Sequence, residues 1–292
     1  MEWLLIKITL KAYAKLNLTL DITGILDNGY HSIDTIFQSV SLYDLVTVEN
    51  GVKKTQVICG SDELDNQNNI CFSAVKEYLM AGEIDDNIKV TIDKNIPLSA
   101  GLAGGSADAA AVLLALDIIY NHKVKTEKLF SIASSLGADV PFCMMGGTVK
   151  AEGIGDEMEK IKDCPDCDII LIKEGTKPST KELYKRTDSI TDIIHPNTHK
   201  AINAIENEDL ATLANCLGNI FVYAWDENIE NIKNELMALG ALGAELSGSG
   251  PTVFGIFQKD TAEPIYNELK NKYNNVYLCS LKKMGAEIIE IE

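Results

Sequence analysis

From residue 6 to residue 48 the chain alternates apolar and polar positions over long stretches. Ile6 to Ile22, through Leu16, Leu18 and Leu20, predicts one long strand, and Ile36 to Val48 repeats the period of two. Asp27-Asn28-Gly29 between them is a turn signal. A short strand is expected over Thr55 to Cys59, and a helix over Asn68 to Met80 with Asn66 or Asn68 as its cap. Asn87 to Asp93 again alternates like a strand. Thr126 to Leu136 reads as a helix stopped by Gly137, and Gly146-Gly147 breaks the chain before an extended Thr148 to Glu152. After a charged connector from Asp156 to Asp166, Asp168 to Ile172 is apolar enough for a buried strand. Helices are expected near Thr180 to Arg186, Leu210 to Ala224 and Ile229 to Leu239. A strand Val253 to Phe257, a helix Glu263 to Tyr273 and a strand Val276 to Ser280 follow. The elements are segregated rather than arrayed as regular βαβ units, so the class is α+β.

The stretch that departs most from these patterns is Pro97 to Ala107, P-L-S-A-G-L-A-G-G-S-A, which runs straight into the helical Asp108 to Asp117. Gly101, Gly104 and Gly105 let backbone approach a ligand without a β-carbon in the way. The helix behind them points free N–H groups and its positive dipole end into the loop, which suits an anion, most often phosphate. The spacing G-x-x-G-G is neither a Walker A loop nor a dinucleotide fingerprint. Taken alone, the segment reads equally as a turn that lets a small-residue helix pack closely.

Composition narrows the choice. At 292 residues, 46% of them hydrophobic, the chain can form one large or two ordinary domains with a full core. Lys and Arg number 26 against 43 Asp and Glu, for a formal charge of −17 and no basic cluster, which argues against nucleic acid as a partner. An acidic chain that binds a polyphosphate needs local positive charge, and a divalent metal is a ready source. The apolar start has no basic region before it and no cleavage site, and no apolar run is long enough to span a bilayer, so a cytoplasmic protein with no membrane partner is expected. Seven cysteines, an odd number, suit reduced thiols, with Cys71, Cys143, Cys216 and Cys279 expected inside elements. Cys164-Pro-Asp-Cys167 with His195 and His199 has a faint look of zinc, but the pairs are too far apart for a finger, and no metal ligand is assigned.

Three separated segments together resemble the motifs of the GHMP small-molecule kinases, which include galactokinase, homoserine kinase and mevalonate kinase. They are Ala14-Lys-Leu-Asn-Leu18, the Pro97 to Ala107 loop with its helix, and Leu246-Ser-Gly-Ser-Gly-Pro-Thr-Val253. Within the family the chain is most similar to the branch whose acceptor is a cytidine-diphosphate-linked methylerythritol. That likeness rests on Ala14 to Asn17, Asp27 to His31, Phe37-Gln38, Leu136 to Pro141 and Ala151 to Gly155, and covers nearly the whole chain. The resemblance implies a ribosomal-S5-domain-2-like N-terminal domain with a left-handed βαβ unit, over residues 1–158, and a ferredoxin-like C-terminal domain, over 159–292, with the active site between. It further implies ATP with Mg²⁺ as donor, transfer to the acceptor's 2-hydroxyl in isoprenoid precursor synthesis, and a monomer or weak homodimer.

The same resemblance assigns roles to residues. Asp139 is expected as general base, removing the proton of the acceptor hydroxyl; read without the family, Asp139-Val-Pro141 is a helix cap with Pro in the first turn. Lys15 is its expected partner, with Asn17 two residues along on the same strand face to bond the acceptor; the plainer fate of a strand lysine is solvent. Tyr30 and His31 are expected to hold the cytosine by stacking and by its polar edge, with Tyr184 as a second platform; each tyrosine could equally pack on the core. Pro97, Leu98, Ser99, Ala100, Gly101, Leu102, Ala103, Gly104, Gly105, Ser106 and Ala107 are expected around the nucleotide phosphates. Ser106 could cap the helix, bind phosphate or approach Mg²⁺. Asn69 and Lys94 match positions near the adenosine, though Asn69 also suits a helix start. Gly248 and Gly250 are expected to support the site from the second domain. Homoserine or mevalonate as acceptor, and a nucleotide-binding module without catalysis, are the competing functions; Tyr30-His31 counts against the first and the retained Lys15 and Asp139 against the second.

Overall fold

The structure, a computed structural model, describes residues 5–27, 29–60 and 64–292. Asn28 of the expected turn and the first four residues of the apolar start lie outside the described residues. Among those described, β1 (Lys7–Ile25) and β2 (His31–Glu49) form one long antiparallel pair, running from Lys7 opposite Glu49 to Ile25 opposite His31. Its register shifts between Tyr13 and Lys15 and again between Asn17 and Thr19. Such bulges bend a strand and re-aim its side chains, and these two bracket Lys15 and Asn17.

The chain continues through β3 (Gln56–Ile58), α1 (Ile70–Ala81), β4 (Lys89–Asp93), α2 (Gly104–Ile119), α3 (Thr126–Leu136), α4 (Val140–Met145), β5 (Thr148–Glu152) and β6 (Glu157–Lys160). β4 pairs antiparallel with β2 and parallel with β3, and β5 pairs with β2 and β6. α2 packs on β1, β2, α1 and α4. Its Ala109, Ala110, Ala111 and Ala115 are fully buried, because small side chains let a central helix approach its neighbours on several sides.

The second half holds β7 (Asp168–Lys173), α5 (Thr180–Thr187), α6 (Thr198–Glu206), α7 (Leu210–Asn215), β8 (Gly218–Asn219), a 3-10 segment Ile220–Ala224, α8 (Glu227–Ala238), β9 (Gly243–Leu246), β10 (Thr252–Phe257), α9 (Glu263–Leu269), β11 (Val276–Lys282) and β12 (Ala286–Ile291). β11, β7, β10 and β9 form an antiparallel sheet in that order. β11 then crosses over: Leu281 and Lys282 pair with Val40 and Ser39 of β2, and β12 pairs with β1. The two halves thus share backbone hydrogen bonds across one continuous sheet.

Several elements differ from the sequence reading. The cap of α1 is Asn69, whose Oδ1 accepts from the Cys71 amide at 2.9 Å, in place of Asn66 or Asn68. The helix expected from Leu210 to Ala224 stops at Asn215. Gly218 and Asn219 are extended to pair with Thr19 and Leu20, and Asn219 Nδ2 donates to the carbonyls of Leu246 and Gly248, both at 2.8 Å. Tertiary hydrogen bonds there override local helix propensity. α6, β6, β9 and β12 are further elements that the sequence reading does not contain. Cys71, Cys143, Cys216 and Cys279 are buried free thiols; the first two and Cys279 lie inside elements as expected, whereas Cys216 follows the end of α7.

Candidate active site

The segments that carry the resemblance meet in space. The Lys15 amide donates to the Leu102 carbonyl at 3.1 Å, joining β1 to the first glycine loop. Ser247 Oγ donates to the Gly101 carbonyl at 3.1 Å and the Thr252 amide to the Ala100 carbonyl at 3.3 Å, joining that loop to the second. A cleft of about 430 Å³ opens beside these contacts, with residues of both halves in its walls.

Lys15 projects into this cleft from between the two bulges. Only 4% of the residue is exposed, which rules out a solvent-facing strand lysine. Its Nζ donates to Asn17 Oδ1 at 2.6 Å, sits 5.3 Å from the centre of the Phe37 ring and lies 3.8 Å from Asp139 Oδ2. Asn17 is oriented in turn by Thr35: its Nδ2 donates to Thr35 Oγ1 at 2.8 Å, and that hydroxyl donates to the Thr19 carbonyl. Asp139 occupies the cap position of α4, with Pro141 in the first turn, yet its side chain makes no capping hydrogen bond. The carboxylate faces Lys15 and the cleft instead.

In the first glycine loop Ser99, Gly101 and Ala103 have φ of 52°, 78° and 55°, a left-handed run that folds the backbone back on itself. α2 begins at Gly104 with Ala103 as its cap residue and no side-chain cap bond, so its first amides remain available to a ligand. Ser106 therefore does not cap the helix; it lies in the first turn and lines the cleft, as do Pro97, Leu98, Ser99, Ala100, Gly101, Ala103, Gly104 and Gly105. Leu102 and Ala107 are buried in the cores and are not among the lining residues.

Lys94 also lines the cleft, but its charge is committed. Its Nζ bonds Asp44 and, at 2.7 Å, Asp108 Oδ2. Burial works against the ammonium, yet Asp108 and Asp44 outweigh it and hold its pKa above the ordinary value. Burial pushes the Asp108 carboxyl up to about 8, against the pull of Lys94. Asp44 Oδ1 accepts from the amides of Asn95 and Ile96, which fixes the entry to the loop. Asn69 is engaged at the start of α1, where its Nδ2 donates to the Leu64 carbonyl, and it is not among the cleft-lining residues.

At the other end of the cleft Tyr184 presents a ring that stacks on His31, centroids 4.3 Å apart, and meets Phe221 edge-on. Burial pushes the Tyr184 hydroxyl up to about 12. His31 Nε2 lies 2.9 Å from Asp188 Oδ1. Tyr30 is 64% exposed at the end of the β1–β2 connection, so it does not pack on the core, and it is not among the lining residues. The stacked pair in this structure is His31 with Tyr184. Lys177 and Ser249, with Thr180, also line the cleft from the second half. Ser249 lay in the Leu-Ser-Gly-Ser-Gly segment already singled out, whereas Lys177, before Pro178 in an irregular stretch, carried no signal of its own. Cys164 and Cys167 are buried, His195 bonds Asp21, and among the described residues no group of three or more His, Cys, Asp or Glu is arranged to hold a metal ion. No helix among them is long and apolar enough to cross a membrane.

An open glycine corner, a buried lysine facing a carboxylate, and a second glycine loop closing on the first define a small-molecule kinase of the two-domain α+β type. The chain belongs to the GHMP kinases: the GHMP kinases N terminal domain matches residues 69–147 and the GHMP kinases C terminal region matches 200–275. It is 40% identical over 277 residues to the 4-diphosphocytidyl-2-C-methyl-D-erythritol kinase of Clostridium tetani, covering 92% of this chain and 98% of that one. The enzyme of the same name from Clostridium botulinum Eklund 17B is also 40% identical over 277 residues. A crystal structure of 4-(cytidine 5'-diphospho)-2C-methyl-D-erythritol kinase superposes with a TM-score of 0.80 at 27% identity, covering 94% of this chain and 99% of that one. Homoserine kinase from Cytophaga hutchinsonii superposes at 0.77 with 18% identity over 97% of each chain, a likeness of fold.

Proposed function

We propose that this chain transfers the γ-phosphoryl group of ATP to the 2-hydroxyl of 4-diphosphocytidyl-2-C-methyl-D-erythritol, a step of isoprenoid precursor synthesis. The observation that carries the reading is the Lys15 Nζ to Asp139 Oδ2 separation of 3.8 Å at the mouth of the glycine loop. The acceptor's name comes from relatives such as that of Clostridium tetani. In the reaction Asp139 takes the proton of the acceptor hydroxyl as its oxygen bonds the γ-phosphorus, the bond to the β–γ bridging oxygen breaks, and ADP leaves. Lys15 lends positive charge to the transferring group. The amides opening α2 hold the phosphates.

Mg²⁺ fits this site as an ion carried largely by nucleotide oxygens and water, since Asp139 is the only carboxylate among the described residues lining the cleft. When bound it neutralises phosphate charge. The cytosine would enter at the Tyr184 face that His31 now covers, with Tyr30 beside the opening. Residues 1–158 and 159–292 would serve as the two domains, with β12 returning to the first. The chain would act in the cytoplasm as a monomer or weak homodimer. Support for a kinase over a silent nucleotide-binding module comes from the intact lysine–aspartate pair.

The test is ATP consumption with the cytidylated acceptor, homoserine and mevalonate offered separately. Turnover with the cytidylated compound alone is expected. Turnover of homoserine or mevalonate with the cytidylated compound ignored would overturn the reading.

A further inference from the structure

Three lysines are among the described residues lining the cleft, Lys15, Lys94 and Lys177, in a chain whose formal charge is −17. Two of them face carboxylates. Lys94 is held between Asp44 and Asp108, and Lys15 faces Asp139. Lys177 is different. It lies in the irregular stretch between β7 and α5, and its Nζ donates to a neutral hydroxyl, Ser249 Oγ, at 2.8 Å. Among the described residues it has no carboxylate within 4.0 Å. Burial first, and then the charge of Lys15, hold its pKa below the ordinary value, against the pull of Asp139. A half-buried ammonium beside another cation, with no carboxylate in direct contact, is costly. Such an arrangement is relieved when an anion enters.

The position of the ammonium says which anion. Ser249, which holds it, belongs to the loop whose Ser247 bonds Gly101, so Lys177 is anchored to the backbone that leans on the phosphate loop. It feels Lys15 and Asp139, the pair at which the phosphoryl group changes hands. α2 and its glycine corner approach that point from the first half of the chain, and Lys177 approaches it from the second.

Resting on the kinase reading above, we propose that Lys177 is a phosphate-binding residue which leaves Ser249 to bond the terminal phosphate of the nucleotide, the group that is transferred. Charge would then close on that phosphate from both halves. The Lys177–Ser249 bond is what exchanges: one neutral acceptor is given up for a charged one, which makes a stronger hydrogen bond.

Nucleotide binding tests this without any acceptor. The probes are Mg²⁺-ADP and Mg²⁺-adenylyl imidodiphosphate, a non-hydrolysable ATP analogue, measured by calorimetry on the full chain. Lys177→Met should weaken the analogue by about tenfold or more, the worth of a hydrogen bond to a charged group. It should change ADP by less than about twofold, since ADP lacks the contacted phosphate. Lys177→Arg should restore most of the analogue's affinity. Lys177→Gln repeats the measurement if the methionine substitution compromises the fold. Equal affinity of wild type and variant for the analogue overturns the proposal. So does equal weakening of both nucleotides, which would assign Lys177 to the fold. Failure of the wild type to phosphorylate the cytidylated acceptor would sink the acceptor assignment and leave this result standing.

Discussion

Gly101 and Gly248 face each other across the two halves of the molecule so closely that neither has room for a β-carbon. One built on Gly248 would fall 2.9 Å from the Gly101 carbonyl oxygen and 3.2 Å from Lys15 Nζ; one on Gly101 would fall 2.2 Å from the Ser247 carbonyl oxygen. Both have positive φ, 78° and 55°. The two glycine loops are thus held at backbone distance, where neither can yield by rotating a side chain, with the Lys15 ammonium beside them.

Gly248→Ala is therefore expected to cost stability and activity together. Left-handed strain and backbone overlap cost about 1–3 kcal/mol. Urea unfolding with kcat in parallel checks this; a variant with wild-type midpoint and turnover would show that the loops can part without harm.

Asp139→Asn should lower kcat by about 10²- to 10⁴-fold, the usual worth of a positioned base, while nucleotide affinity stays near wild type. The side chain makes no cap bond, so the thermal midpoint should hardly move. Steady-state turnover with ATP-analogue binding separates the two effects. A large loss of stability with little loss of turnover would return Asp139 to the role of helix cap.

Tyr184→Ala and Tyr30→Ala should each raise the acceptor KM, by about 1–3 kcal/mol of lost stacking, and leave the KM for ATP unchanged. The Tyr184 change should be the larger, because that ring already carries a stacked partner at 4.3 Å. An unchanged acceptor KM in both variants would move the base away from this end of the cleft.

The Asp44–Lys94–Asp108 cluster makes stability depend on pH. The Asp108 carboxyl is raised by burial from 3.8 to about 8, so the folded chain keeps a proton that the unfolded chain releases. Stability from this group is full below about pH 4 and falls as pH rises toward 8, by up to about 1.4 kcal/mol per unit. Asp108→Asn removes that slope, so its stability relative to wild type should climb between pH 5 and pH 8. Chemical denaturation across that range checks it; a constant difference would mean that Asp108 is already ionised there.

The long strands were legible from the apolar–polar alternation of Ile6 to Ile22 and Ile36 to Val48, although residues 12–21 and 35–40 are buried without a break. The glycine corner was legible because its composition departs so far from its surroundings. Other features were fixed by contacts distant in sequence. Asn219 leaves a helical pattern to hold the carbonyls of Leu246 and Gly248. The strand Ala286–Ile291 reads as a charged end until β1 supplies its partner. The setting of Lys15 in an apolar strand with few other charges favoured a functional role, but its partners Phe37 and Asp139 come from distant segments. Tyr30, His31 and Tyr184 were expected as one group; His31 and Tyr184 stack, and Tyr30 at the β1–β2 connection is largely exposed.

β12 ties together segments that lie far apart along the chain. Its residues Ala286 to Ile291 complete the outer side of β1 from Ile8 to Ala12. A contact of such long sequence separation closes a large loop and is slow to form. A break near residue 285 would therefore be felt at Ile8 to Ala12, on the strand that carries Lys15.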